Sequence, residues 1–171
     1  MSDFEDEAEQ LAAAMNLSKV IRDVRESNEI EGIFRGPTDE ELDEHIRFLA
    51  MNEITVEDLM RHVAIYAGTE HRIRAKTTDR HQIGSRVLEG GPHVLERLRD
   101  LLLKCNEGEI DPWHAHVEYE ILHPFTDGNG RSGRALWHWM MLQRYGFTGY
   151  TQRTQIGFLH RFYYQAMQFR G

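Results

Sequence analysis

An all-α, single-domain helical bundle with one short β-hairpin flap is the fold the sequence predicts. Apolar residues recur at three- and four-residue spacing through most of the chain. Helix-start signals (Thr, Asp, Pro) stand in front of several of those runs. One stretch, HRIRAKTTDRHQIGSRVL at 71–88, lacks any helical stripe and has weak β character. The 171 residues, 40% hydrophobic and 28% charged, suit one compact domain at roughly 100–200 residues per domain.

The elements follow in order. Leu17, Val20, Ile21 and Val24 form a stripe on a first helix over about 5–30. Thr38 with Glu41 reads as a capping box after Pro37, opening a helix that carries Leu42, Ile46 and Leu49. Thr55 caps a third, with Val56, Leu59, Met60, Val63 and Ala67 on one face. After the irregular flap, Pro92 sits in the first turn of a helix lined by Val94, Leu95, Leu98, Leu101, Leu102 and Cys105. Asp111-Pro112 starts the next helix, which runs through Leu122 with Trp113, Val117 and Ile121 as its stripe. From about 130 to 145 the helix is apolar around most of its circumference, the mark of a central, buried element. A last helix is expected over about 155–169. Residues 1–36 divide off as an N-terminal segment and 37–171 as the core.

Charge narrows the function classes. The formal net charge is −8, which argues against a dedicated nucleic-acid binder. Residues 1–60 carry 5 basic and 17 acidic side chains, and 61–171 carry 15 and 11, so an anionic ligand belongs in the C-terminal two-thirds. One cysteine, Cys105, excludes an intramolecular disulfide framework. No apolar run approaches the ~18 residues of a membrane span, and the acidic opening MSDFEDEAEQ is no signal peptide. A soluble, cytoplasmic protein without membrane contact is expected.

The informative segment is HPFTDGNGRSGR, His123 to Arg134. Its glycines let the backbone approach a ligand closely. The start of the next helix offers amides and a positive dipole end to an anion. Arg131 and Arg134, three apart, fall on one side of that helix's first turn. Together these suit a polyphosphate. Asp127 would repel such a ligand unless a cation lay between, and Mg²⁺ does this with one or two carboxylates. His123 supplies a base for neutral pH.

With every specified position present, the segment resembles the Fic motif, His-x-Phe-x-(Asp/Glu)-Gly-Asn-Gly-Arg-x-x-Arg. At equal residue frequencies such a match arises by chance on the order of once in 10¹⁰ windows. The flanking helices and flap are similar to the Fic core too. The resemblance implies His123 as the general base for a target hydroxyl, Phe125 as a structural anchor and Asp127 as the Mg²⁺ ligand. It further implies Gly128, Asn129 and Gly130 at phosphate oxygens, Arg131 at the β-phosphate and Arg134 at the γ-phosphate. Such enzymes mostly transfer AMP from ATP to a Ser, Thr or Tyr of a protein, releasing pyrophosphate. Doc-type kinases depart from the Asp-Gly-Asn-Gly-Arg run. The implied partners are ATP and a protein substrate aligned by the flap, with a homodimer as an option.

Many Fic proteins share a second motif, (Ser/Thr)-x-x-x-Glu-(Gly/Asn), whose glutamate pairs with the second motif arginine, here Arg134, and inhibits. The chain matches twice, at SNEIEG 27–32 and SRVLEG 85–90. At about 100° per residue, Glu31 continues the stripe of Val20 and Val24 and is expected to face the protein body, with Ser27 beside it. Glu89 has no helix to aim it. Ser27, Glu31 and Gly32 are therefore the expected inhibitory set, acting in cis.

Other features are weaker. His114 and His116 are two apart on a helix and point to different faces, against a zinc site. Trp137, Trp139, Met140 and Met141 read as core, and Cys105 as inert. Alternatives to AMP transfer are another nucleotide, removal of AMP, a non-catalytic nucleotide-binding regulator, or a toxin-like module; intact His123 and Asp127 argue against the regulator.

Overall fold

The computed structural model describes residues 17–83 and 85–154. Among them lie helices α1 (Leu17–Ile30), α2 (Asp39–Leu49), α3 (Val56–Tyr66), α4 (Pro92–Asn106), α5 (Pro112–Leu122) and α6 (Asn129–Arg153). Strands β1 (His81–Ile83) and β2 (Arg86–Leu88) pair antiparallel, with His81 opposite Leu88 and Ile83 opposite Arg86. This is the all-α fold with a hairpin flap that the sequence predicts. Residues 5–16 of the expected first helix and the expected helix at 155–169 lie outside the described residues. The chain divides into two compact units, 1–51 with 138–171, and 52–137. No helix among the described residues is long and apolar enough to cross a membrane.

In the first unit, α1 buries Lys19, Val20, Asp23, Val24, Ser27, Asn28 and Ile30. The charged pair is satisfied internally. Lys19 Nζ lies 2.5 Å from the Asp23 carboxylate and donates to Thr154 at 2.9 Å, while the Tyr150 hydroxyl donates to Asp23. The helix closes in a Schellman motif: Ile33 N–H bonds to the Asn28 carbonyl and Gly32 N–H to that of Glu29. That closure requires the left-handed φ of +78° at Gly32.

The Thr38–Glu41 capping box forms as expected. The buried face of α2 differs from the expected Leu42–Ile46–Leu49 stripe. It consists of Glu41, Glu44, His45, Phe48 and Leu49, with Leu42 and Ile46 half-buried. Arg35 bonds Glu41 at 2.7 Å and helps hold its carboxyl below the usual range, and Arg47 bonds Glu44 at 2.8 Å. Hydrophobic spacing counts only apolar residues and so misses a carboxylate buried with an arginine partner.

In the second unit, Thr55 and Asp58 make the capping box of α3, which buries Val56, Leu59, His62, Val63 and Tyr66 while Met60 is exposed. Pro92 opens α4, and Val94, Leu98, Leu101, Leu102 and Cys105 are buried as predicted, with Leu95 half-buried. Burial pushes the Cys105 thiol up to about 12, so it is inert at neutral pH. Asp111 caps α5. Of its expected stripe Val117 is buried, while Trp113 and Ile121 are half-buried; Ala115, His116, Tyr119 and Leu122 also face inward. His116 and Tyr119 look polar but are satisfied, His116 Nδ1 by the Gly133 carbonyl at 3.0 Å and the Tyr119 hydroxyl by Ser132 at 2.7 Å. Gly133 is what lets α5 and the start of α6 meet, since a Cβ there would lie 2.6 Å from Glu120 Oε1 and 2.8 Å from Tyr119 Cδ1.

Trp137, Trp139, Met140 and Met141 are buried on α6, as expected of core residues. The helix was expected to stop near 145. It breaks at Gly146, where φ is +64°, and then continues to Arg153.

Candidate active site

The loop between α5 and α6 gathers the predicted residues 123–134 in one unit. His123 is the C-cap of α5 and adopts φ +49°, ψ +62°, the one positive-φ residue other than glycine among those described. A left-handed L-residue costs roughly 1–2 kcal/mol, and such strain persists only where the surroundings impose it. Here the constraint is Arg74. Its buried guanidinium donates from Nε to the His123 carbonyl at 2.6 Å and from Nη2 to the Leu122 carbonyl at 2.9 Å. Its Nη1 reaches the carbonyls of Asp79 and Leu88 in the flap. One cation thus satisfies the orphan carbonyls ending α5 and binds them to the root of the hairpin.

Backbone pairing extends this link. Arg74 N–H donates to the Pro124 carbonyl at 2.8 Å, Thr126 N–H to that of Arg72 at 2.9 Å, and Ile73 bridges Phe125. Phe125 is fully buried, 0% exposed. The Asn129 side chain pins the loop. Its amide accepts from the Phe125 N–H and donates to the Phe125 carbonyl, both at 2.8 Å, so the side chain is spent on folding the loop. Any ligand contact from Asn129 falls to its backbone N–H, one of the α6 amides without an intrahelical acceptor.

Gly128 has φ +78°, and a Cβ there would press on Ala67 at 3.1 Å and Val63 at 3.3 Å. Its carbonyl accepts from the Ser132 N–H, starting α6 with Gly130 in the first turn. Arg131 and Arg134 are both buried. Arg131 Nη1 donates to the Tyr66 carbonyl, and its Nε is buried with no hydrogen bond, leaving donor capacity in the guanidinium. The Asp127 side chain is 59% exposed; Oδ1 accepts from the Gly128 N–H at 2.6 Å, and Oδ2 lies 3.7 Å from His71 Nε2. An open single carboxylate fits Mg²⁺, which completes its shell with phosphate oxygens and water. No cluster of three or more His, Cys, Asp or Glu able to hold a metal unaided occurs among the described residues.

Burial lowers the His123 imidazole from 6.5 to about 4, His81 and Arg74 pushing the same way and the Glu120 carbonyl and Asp127 opposing. The ring is therefore neutral at neutral pH, the form that accepts a proton. Its Nδ1 is buried and makes no hydrogen bond of ordinary geometry, which leaves Nε2 for a substrate. Burial likewise holds His45 at about 4 and His116 at about 3. All three native values lie below the unfolded value near ~6.5, so the unfolded chain takes up protons first as pH falls. Their contribution to stability is complete above about pH 6.5 and is lost on acidification towards about pH 4. Thermal unfolding followed by circular dichroism should show Tm about 5 °C or more lower at about pH 5 than at about pH 7.

Ser27, Glu31 and Gly32 end α1 in the other unit. Ser27 is buried and Gly32 supplies the positive φ of the helix cap. Glu31 is exposed, contrary to the inward direction expected of it. The helix stops at Ile30 and turns, so the 100° count does not extend to the next residue. The competing match is not helical. Ser85 lies in the hairpin turn, and Glu89, beyond β2, pairs with Arg80 at 3.0 Å on the surface.

Arg74, Gly133 and the flap residue His81 were not singled out by sequence. Arg74 looks like its exposed neighbour Arg72, and Gly133 occupies an unspecified motif position. Comparison with known proteins agrees with the geometry. The model of the Fic/DOC family matches residues 48–141. A protein adenylyltransferase fic-1 of Caenorhabditis elegans is 31% identical over 143 residues, covering 74% of this chain and 26% of the relative. One of the same name from Caenorhabditis briggsae is 29% identical over the same shares. The chain thus spans about a quarter of the length of these relatives. No solved structure matches it significantly. A complete His-to-Arg motif on a loop between two buried helices, with this match over more than half the chain, places the protein in the Fic/DOC family.

Proposed function

We propose that the chain is a protein adenylyltransferase, moving AMP from ATP to a Ser, Thr or Tyr hydroxyl of a target protein. The observation that carries the proposal is the neutral His123 fixed beside an exposed Asp127 and the N-terminus of α6 with its two buried arginines. His123 Nε2 takes the proton of the target hydroxyl. The hydroxyl oxygen forms a bond to the α-phosphorus, the α–β anhydride bond breaks, and pyrophosphate leaves with that electron pair. The α6 amides, Gly128 to Gly130, Arg131 and Arg134 hold the phosphates, where charge accumulates in the transition state. Asp127 would hold Mg²⁺, which supplies charge neutralisation on the phosphates when bound. The family resemblance and the relatives' name support this reading.

The N-terminal segment 1–36 acts as a brake in this proposal, through Ser27, Glu31 and Gly32 of the SNEIEG helix. Its support is that this match alone lies on a helix with a left-handed glycine cap. Incubation with Mg²⁺ and ATP labelled at the α- or γ-phosphate tests the reading. Protein should take label from α-labelled ATP only, and Glu31→Gly should raise the rate about tenfold, within the usual range for coupled sites. Label from γ-labelled ATP alone makes the protein a kinase. Unchanged activity in Glu31→Gly, with activation by Glu89→Gly, moves the brake to the flap.

A further inference from the structure

We infer that His81, on the first strand of the hairpin, is a positioning residue for the transfer reaction: its ring stacks on His123 and sets the plane in which the base meets a target hydroxyl. This rests on the proposed adenylyl transfer for its kinetic consequence. The two ring centroids are 4.5 Å apart with planes inclined by 27°. Within the hairpin, His81 and its cross-strand partner Leu88 are half-buried, while Gln82, Ile83, Arg86 and Val87 are exposed. His81 is therefore the strand residue turned towards the loop, and the turn is not incidental to an exposed ring.

A catalytic imidazole is ordinarily held by a hydrogen bond from its second nitrogen, which fixes both tautomer and ring plane. For His123 the nearby acceptor is the Glu120 carbonyl, but Nδ1 makes no hydrogen bond of ordinary geometry, so that hold is weak. The His123 backbone is fixed by Arg74, but the torsion that turns the ring is broad and two-fold. The Glu120 carbonyl acts on one edge of the ring, and the His81 stack constrains its plane from the face. The stack covers a face of the ring and leaves the edge carrying Nε2 open, so it orients the base without blocking the hydroxyl. The flap thus serves the reaction at two points, the His123 backbone through Arg74 and the ring through His81.

The test uses His81→Ala, His81→Phe and His81→Lys in the full chain carrying Glu31→Gly, each assayed with α-labelled ATP. His81→Ala should lower kcat about tenfold, the scale of a misaligned reacting group, with KM for ATP little changed. His81→Phe keeps an aromatic face and should retain most of the activity, whereas His81→Lys places a cation there and should fall at least as far as alanine. Equal loss in the phenylalanine and alanine variants, or no loss in alanine, overturns the inference. A second measurement does not depend on transfer: diethylpyrocarbonate should modify His123 several-fold faster in His81→Ala but not in His81→Phe, with exposed His114 as the internal reference. An unchanged His123 rate in His81→Ala overturns the inference as well. A parent that takes no α-label defeats the adenylyl-transfer reading, and the modification rates still decide the role of His81.

Discussion

His123→Ala protein is expected to bind ATP with nearly the affinity of its parent and to transfer almost nothing. A positioned general base contributes typically ~10²–10⁴ in rate, and the loss should appear in kcat rather than in nucleotide affinity. The separation follows from the geometry. The ring lies on the α5 side of the loop, whereas the expected phosphate ligands begin with Gly128 and the α6 amides. Isothermal titration with ATP and a labelling assay on the same protein check both halves. The strained backbone adds a finer expectation. His123→Gly should be as inactive as His123→Ala yet more stable than it by about 1 kcal/mol, because only glycine tolerates φ +49° without cost. Equal stability of the two variants in urea denaturation contradicts the strain assigned to this residue.

Arg74→Met is the second large effect, and it acts on fold and activity together. Methionine keeps the aliphatic stem but removes donors from the carbonyls of Asp79, Leu88, Leu122 and His123. Buried acceptors left without donors cost ~1–3 kcal/mol each, and the site relaxes in part, so a total of about 3 kcal/mol or more is expected. Denaturant unfolding measures it. At a temperature where the variant remains folded, transfer should still fall steeply, because the left-handed conformation of His123 has lost its clamp. Arg74→Lys should recover little. A lysine offers a compact charge, and its three donors cannot reproduce a fork spanning four carbonyls. Near-parental stability in Arg74→Met would show that water replaces the guanidinium without loss.

The legible parts of the molecule are those where local chemistry and global structure agree. Thr38, Thr55, Asp111 and Pro92 mark helix starts, and each occupies the expected position because capping is decided within a turn. The central helix was readable from its apolar circumference, but its continuation beyond the break at Gly146 was not. Buried polar residues were not readable either. His116, Tyr119, Glu41 and Glu44 face inward because a polar partner satisfies each of them, on the next helix for the first two and within about two turns of chain for the glutamates. For the same reason the stripes drawn from apolar residues alone caught only part of the buried faces of α2 and α5, Leu49 and Val117 among them.

The site shows the same division. The motif named its residues from His123 to Arg134, since glycines and charged residues at fixed spacing leave a strong local mark. It did not show that the Asn129 side chain folds the loop, nor that Arg74 holds His123. In HRIRAK, Arg72 and Arg74 are chemically alike, yet one pairs with Asp79 at the surface and the other is buried. Only the pairing of Ile73 with Phe125 distinguishes them. At the N-terminal segment, periodicity placed Ser27 correctly on the buried face and misplaced Glu31, which lies one residue past the end of the helix it was counted on.

Intact-mass spectrometry after incubation with ATP and Mg²⁺ asks the central question directly, comparing Glu31→Gly protein with the same protein also carrying His123→Ala. Addition of one adenylyl group to the first and none to the second is the predicted outcome. A phosphate-sized increment, or an adenylyl adduct that forms equally well without His123, would contradict a loop that grips a triphosphate and an imidazole that deprotonates the incoming alcohol.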